Sequence, residues 1–205
     1  MINRYCLDKM KQIWEMQSKF EYYLKVELAV CEAYAQMGEI PLDVLEQIKR
    51  DAKFDLKRID EIESEVHHDV IAFLTCVNES LGENAKYMHK GLTSSDVIDT
   101  AYALQFKDAS QIISDDLVKV IVTLKAMAKK YKDTVCIGRS HGIHAEVTTF
   151  GVKLLNWVDS FERAYKNFLI ATEDITMGQI SGPVGTYSNV PMEVETLTCE
   201  NLGLK

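Results

Sequence analysis

Residues 138–151, GRSHGIHAEVTTFG, gather two histidines, an arginine, hydroxyl side chains and three glycines into one short run. His141 and His144 raise the question of a metal pair. A helical HExxH site needs a glutamate between two histidines that share one face. Here Gly142 and Ile143 fill the gap, and no cysteine or carboxylate stands at ligand spacing. An acid–base imidazole in a glycine-lined cleft is expected instead. Glycine lets a ligand approach the backbone closely, and an imidazole titrates near cellular pH.

The other histidines fall in two more patches. His67 and His68 precede Asp69 in EVHHDVIAFL, and His89 precedes Lys90 in MHKGLTSSDVIDT. Each patch is expected at a helix end or in a loop. Asp69 reads as the N-cap of an apolar helix; the plain alternative is a capped helix with solvated histidines. Thr93, Ser94 and Ser95 follow Gly91 where a long helix begins. Free N–H groups and a positive dipole end would make that start an anion site, with His89 and Lys90 adding cationic character. Ordinary Ser/Thr capping explains the same residues.

These groups need elements to hold them. Leu92 to Ile137 contains no Gly or Pro, and Val97, Ala101, Leu104, Ile112, Ile113, Leu117, Val120, Ile121 and Leu124 recur at helical spacing. A helix over 95–131 would run roughly 55 Å at 1.5 Å per residue. A second rod is predicted over 149–177, capped by Thr148 or Thr149. Shorter helices are predicted near 9–37, 41–50, 55–65 and 69–81. Gly38 and Gly82 stop two of them, and Pro41 opens one at the first helical position. A glycine-rich loop and a short helix close the chain. No strand is predicted. The reading is an all-α chain: a small N-terminal helical domain over 1–92, then over 93–205 the first, incomplete part of a long-helix bundle. Two rods alone cannot bury their apolar surface.

Composition bounds the class. The 205 residues are 47% hydrophobic, which supports a sizeable core, and the net charge of −8 disfavours nucleic acid and membrane surfaces as partners. A small anionic substrate needs only a few local cations. The five cysteines are widely spaced with no CxxC pair, which argues against disulfides and thiolate metal sites. No run approaches the roughly 20 apolar residues of a membrane span, and the start has no signal-peptide character. The cytoplasm is the expected location.

INRY near the start, HHDVIAFL, GLTSSDVIDTA, GRSHGIHAEVTTFG and SGPVGTYSN occur in this order. Together they resemble the bacterial adenylosuccinate lyases, a branch of the fumarase/aspartase superfamily, along essentially the whole chain. The resemblance implies β-elimination of fumarate from adenylosuccinate, giving AMP, and from SAICAR, giving AICAR, in purine biosynthesis. It implies no metal and no organic cofactor. It also implies a homotetramer whose pooled long helices form the core and whose active sites draw on three subunits. By the same resemblance His141 is the general acid and His68 its partner, with Asp69 beside it. Thr93 and Ser94 hold a succinyl carboxylate. Ser140 stands where threonine is common and keeps a donor role. Arg4 and Tyr5 meet the phosphate end, and His89 and Lys90 lie near the nucleotide.

There are departures. His67 stands where relatives often carry Arg, which would weaken a phosphate contact, and Val147 stands where Pro is common. The serine loop of relatives, SSAMPHKRNP, which supplies the base, has no match in the 205 residues. The chain alone is therefore expected to be inactive. The alternatives are another fumarate-releasing lyase of the superfamily and a non-catalytic helical assembly fragment.

Overall fold

The computed structural model describes residues 2–205. Among these the chain forms eight α-helices and one two-stranded sheet. The chain divides into two compact units, residues 1–108 with 175–205, and residues 109–174.

The first unit is built around α2 (Met16–Gln36). Phe20, Tyr23, Val26, Ala29, Val30, Ala33 and Tyr34 lie on its buried face at three- and four-residue intervals. α3 (Leu42–Asp51), α4 (Leu56–Val66) and α5 (Asp69–Leu81) contribute Ile48, Ile59 and Phe73 to the same core. The Phe20 and Phe73 rings stack at 5.5 Å, and Tyr23 meets Phe73 edge-on at 5.8 Å. Such pairs add to the area they bury. The C-terminal α8 (Met192–Leu202) packs on α2 and adds Val194 and Leu202. The start of the long α6 (Ser94–Lys130) supplies Val97, Ala101 and Leu104.

The rod and most of the stops stand as expected. Gly38 and Gly82 take positive φ where α2 and α5 end, and the Thr149 hydroxyl accepts the Val152 N–H at the start of α7 (Phe150–Ile175). Three details differ. The helix expected over 9–37 is two, α1 (Asp8–Ile13) and α2, parted at Trp14 and Glu15. No Pro or Gly marks that break. The Gln105 amide donates to the Ile13 carbonyl at 2.7 Å and the Ser18 hydroxyl to that of Gln12, so side chains replace the lost helical partners. Pro41 precedes α3 rather than opening it. His68, not Asp69, is the N-cap of α5: its Nδ1 accepts the Ile71 N–H at 3.3 Å.

In the second unit the expectation of no strands is corrected. β1 (Val135–Ser140) and β2 (Ile143–Thr149) form an antiparallel hairpin. Val135, Ile137, Ile143 and Val147 are exposed, so no core-facing apolar stripe announces it. The turn is His141–Gly142, with φ of 52° and 77°. Positive φ at both central residues is the type I′ pattern, whose twist suits a two-residue hairpin. His144 thus lies inside a strand, not at a helix end. α7 buries Leu154 and Val158, while Val152, Leu155, Trp157, Leu169 and Ile170 are exposed. No described helix is long and apolar enough to cross a membrane.

Candidate active site

In the first unit, two sets of candidates gather near the start of α6. The first joins α5 to α6. His68 accepts a backbone N–H on Nδ1, so its ring proton sits on Nε2, which faces the Ser94 hydroxyl at 3.5 Å. Asp69 is held by Lys19 of α2, Nζ to Oδ2 at 3.0 Å, and accepts the Val70 N–H. Burial pushes the Asp69 carboxyl up, but the Lys19 ammonium and the Val70 N–H outweigh it and hold it below the usual carboxylate range. His67 ends α4 in the left-handed region, φ 55°, with its side chain exposed.

The second set is the segment 87–93, anchored by one face of α2. Glu27, Cys31 and Tyr34 recur at helical spacing along that face. Cys31 Sγ approaches the Tyr87 carbonyl, Tyr34 donates its hydroxyl to the Lys90 carbonyl at 3.2 Å, and Glu27 takes both the backbone N–H and the ring of His89. Lys90 pairs with Glu39 and lies over the Tyr34 ring at 4.3 Å.

Asp96 ties this region to the glycine-rich loop. Its carboxylate is fully buried and accepts the Thr93 N–H at 2.8 Å, that of Ser181 at 3.0 Å and that of Gly182 at 3.1 Å. An acid of the first turn of α6, it joins the Thr93 backbone to the SGPVG loop. Glu195 of α8 braces the same loop by accepting the Ile180 N–H and the Tyr187 hydroxyl, both at 2.7 Å.

Gly91 closes the contact from the other side. A Cβ built there would lie 2.2 Å from the Asn189 carbonyl oxygen, and φ is 77°. Gly91→Ala therefore faces left-handed strain and a backbone clash together, and is expected to cost about 3 kcal/mol. Urea titration followed by far-UV circular dichroism measures it; an unchanged midpoint contradicts the close approach.

Arg4 and Tyr5 sit exposed in a 3-10 turn (Asn3–Tyr5), the guanidinium donating to the Tyr5 hydroxyl at 3.0 Å. Ser140 and His141 belong to the second unit, at the tip of its hairpin, and both are exposed. The structure thus gathers His68, Asp69 and Ser94, and separately His89, Lys90 and Thr93. Lys19, Glu27, Ser181 and Gly182 were not among the expected residues. Ser181 and Gly182 stood in the SGPVGTYSN run without a role of their own, and Glu27 left a trace as an acid within the apolar run VELAVC.

Comparison with known proteins decides the family. The model of a family described as lyase matches residues 4–205. The chain belongs to the lyase family. Among curated relatives this lyase-family chain is 46% identical over 204 residues to the adenylosuccinate lyase of Staphylococcus saprophyticus. It is 48% identical over 205 residues to that of Synechocystis sp.. Each match takes in all of the chain and 47% and 48% of the relative, so the chain spans about half the length of the curated relatives it matches. The solved fumarate lyase from Mesorhizobium sp. BNC1 superposes with a TM-score of 0.89 at 28% identity. That match covers 96% of this chain and 48% of the other. In the lyase-family chain the helical scaffold is thus shared even where about seven residues in ten differ.

Proposed function

We propose that the chain forms part of an adenylosuccinate lyase, releasing fumarate from adenylosuccinate to leave AMP and from SAICAR to leave AICAR. The observation that carries this is identity of 46% and 48%, over the full length of the chain, to two adenylosuccinate lyases. The gathering of His68, Asp69 and Ser94 supports it.

The elimination removes a proton from the carbon beside a succinyl carboxylate. The electron pair left behind forms the double bond of fumarate as the C–N bond breaks, and the leaving nitrogen takes a proton from an acid. His141 is the acid. His68, with its proton on Nε2, serves as its partner, and the Ser94 and Thr93 hydroxyls hold the succinyl carboxylate beside it. Arg4 and Tyr5 receive the phosphate, with His67, His89 and Lys90 toward the nucleotide and Ser140 donating from the hairpin. The base lies outside these residues. The carboxylate and phosphate contacts orient the substrate before the proton moves.

The working enzyme is a cytoplasmic homotetramer with shared sites. Val122, Val152, Leu155 and Ile170, exposed on single helices of the second unit, supply the kind of apolar surface such an assembly covers. A chimera joining residues 1–205 to the unmatched part of the Staphylococcus saprophyticus enzyme tests the reading. It is expected to assemble as a tetramer and convert adenylosuccinate to AMP, followed by absorbance. A tetrameric chimera that spares adenylosuccinate but acts on another fumarate-yielding substrate overturns it.

A further inference from the structure

We propose that Glu27 is a positioning residue that fixes the tautomer and orientation of His89, presenting Nε2 of that ring to the nucleotide side of the substrate. The ligand half of this statement rests on the lyase reading above; the tautomer half does not.

Glu27 sits in the middle of α2, with Val26 and Val30 on the same buried face, and is itself fully buried. Both oxygens are used, and by one residue: Oε2 accepts the His89 backbone N–H at 2.9 Å and Oε1 lies 2.7 Å from Nδ1. A chelate of this kind needs the backbone to curl back. His89 does so, with φ at 57°, a left-handed region unfavourable to a non-glycine residue. The carboxylate accepts, so Nδ1 carries the proton, and Nε2 is left with no partner among the described residues. The His89 side chain is 21% exposed.

Stability alone is a poor reason for this arrangement. A buried carboxylate is costly to desolvate, and an apolar residue of similar volume usually serves a core as well or better. The neighbours on the same face show what anchoring alone requires: Cys31 and Tyr34 hold the Tyr87 and Lys90 carbonyls without a charge. What the charge adds is specific to the ring. A carboxylate can take two donors side by side, so both contacts hold together only when Nδ1 is protonated. An amide cannot do this, because it offers one acceptor oxygen and one NH2 group.

That difference supplies the test. His68 is the internal reference, since its Nδ1 is an acceptor and its proton is on Nε2. Long-range nitrogen–proton correlation spectra of the histidine-labelled chain are recorded about two units above the ordinary histidine value near 6.5, where imidazoles are neutral. His89, assigned by loss of its signals in His89→Gln, is expected as the Nδ1–H form, opposite to His68. In Glu27→Gln the amide NH2 faces one of the two donors, and His89 is expected to switch to the Nε2–H form, with the circular dichroism spectrum unchanged. A wild-type His89 in the Nε2–H form overturns the proposal, even where the variant fails to fold. So does a folded Glu27→Gln whose His89 keeps its tautomer.

The chimera gives the second reading. Glu27→Gln is expected to lower kcat/KM for adenylosuccinate by about tenfold or more, as a wrong tautomer does in other histidine-dependent enzymes. A tautomer switch with unchanged kcat/KM overturns the ligand half while the lyase reading stands. A wild-type chimera without turnover counts against the lyase reading and leaves the spectra to decide Glu27.

Discussion

Asp96→Ala is expected to lower the stability of the chain by about 4 kcal/mol. Three backbone N–H groups, those of Thr93, Ser181 and Gly182, lose their acceptor at once. The carboxylate they share is fully buried, so water does not take its place without opening the fold. Each abandoned donor costs on the order of 1–3 kcal/mol, and hydrogen bonds to a charged acceptor lie toward the upper end. In a chain of this size the melting temperature should fall by roughly 8–16 °C. Asp96→Asn keeps the shape and one acceptor oxygen but turns an NH2 group toward a donor, so it should cost about half as much. Thermal scans of both variants decide the matter. A loss within about 1 kcal/mol for Asp96→Ala would mean that the glycine-rich loop is not held by this carboxylate.

His141→Asn should abolish most of the turnover of the chimera, lowering kcat by about 10² to 10⁴ as expected for loss of a general acid. The same substitution should leave the hairpin intact or firmer. His141 occupies the first central position of a two-residue turn at φ 52°, followed by Gly142 at 77°. Asparagine before glycine is the preferred occupant of such a turn, because its side chain tolerates the left-handed region. The sequence carries an imidazole where turn chemistry favours an amide. Such a conflict between local preference and observed residue fits the role proposed for His141. Activity, melting temperature and sedimentation are measured together. A chimera carrying His141→Asn that keeps its kcat removes His141 from the role of acid.

Much of the helical framework was legible because its signals are local. The uninterrupted run from Leu92 to Ile137 marked a rod, observed as Ser94–Lys130, and Gly38, Gly82 and Thr149 marked ends by their own backbone or hydroxyl chemistry. The failures share a different cause. The gap between α1 and α2 rests on Gln105, far along the chain, which caps the Ile13 carbonyl. The hairpin leaves its valines and isoleucines exposed on both strands, so burial gave no alternation to read, and His–Gly is not a common turn signal. The residue types suited to chemistry were visible one by one. Their supports were not: Glu27 and Lys19 lie on α2, distant in sequence from the His89 and Asp69 they hold.

The first unit is assembled from both ends of the chain, 1–108 and 175–205. During synthesis the ribosome delivers α2 long before α8. Until then the surface destined for Ile180, Val190, Val194 and Leu202 has no cover, and the backbone donors of Ser181 and Gly182 do not yet exist for Asp96 to bind. The nascent helices must wait, exposed, while the whole intervening unit emerges. Such a delay invites chaperone engagement, and slowing translation after codon 174 should prolong it.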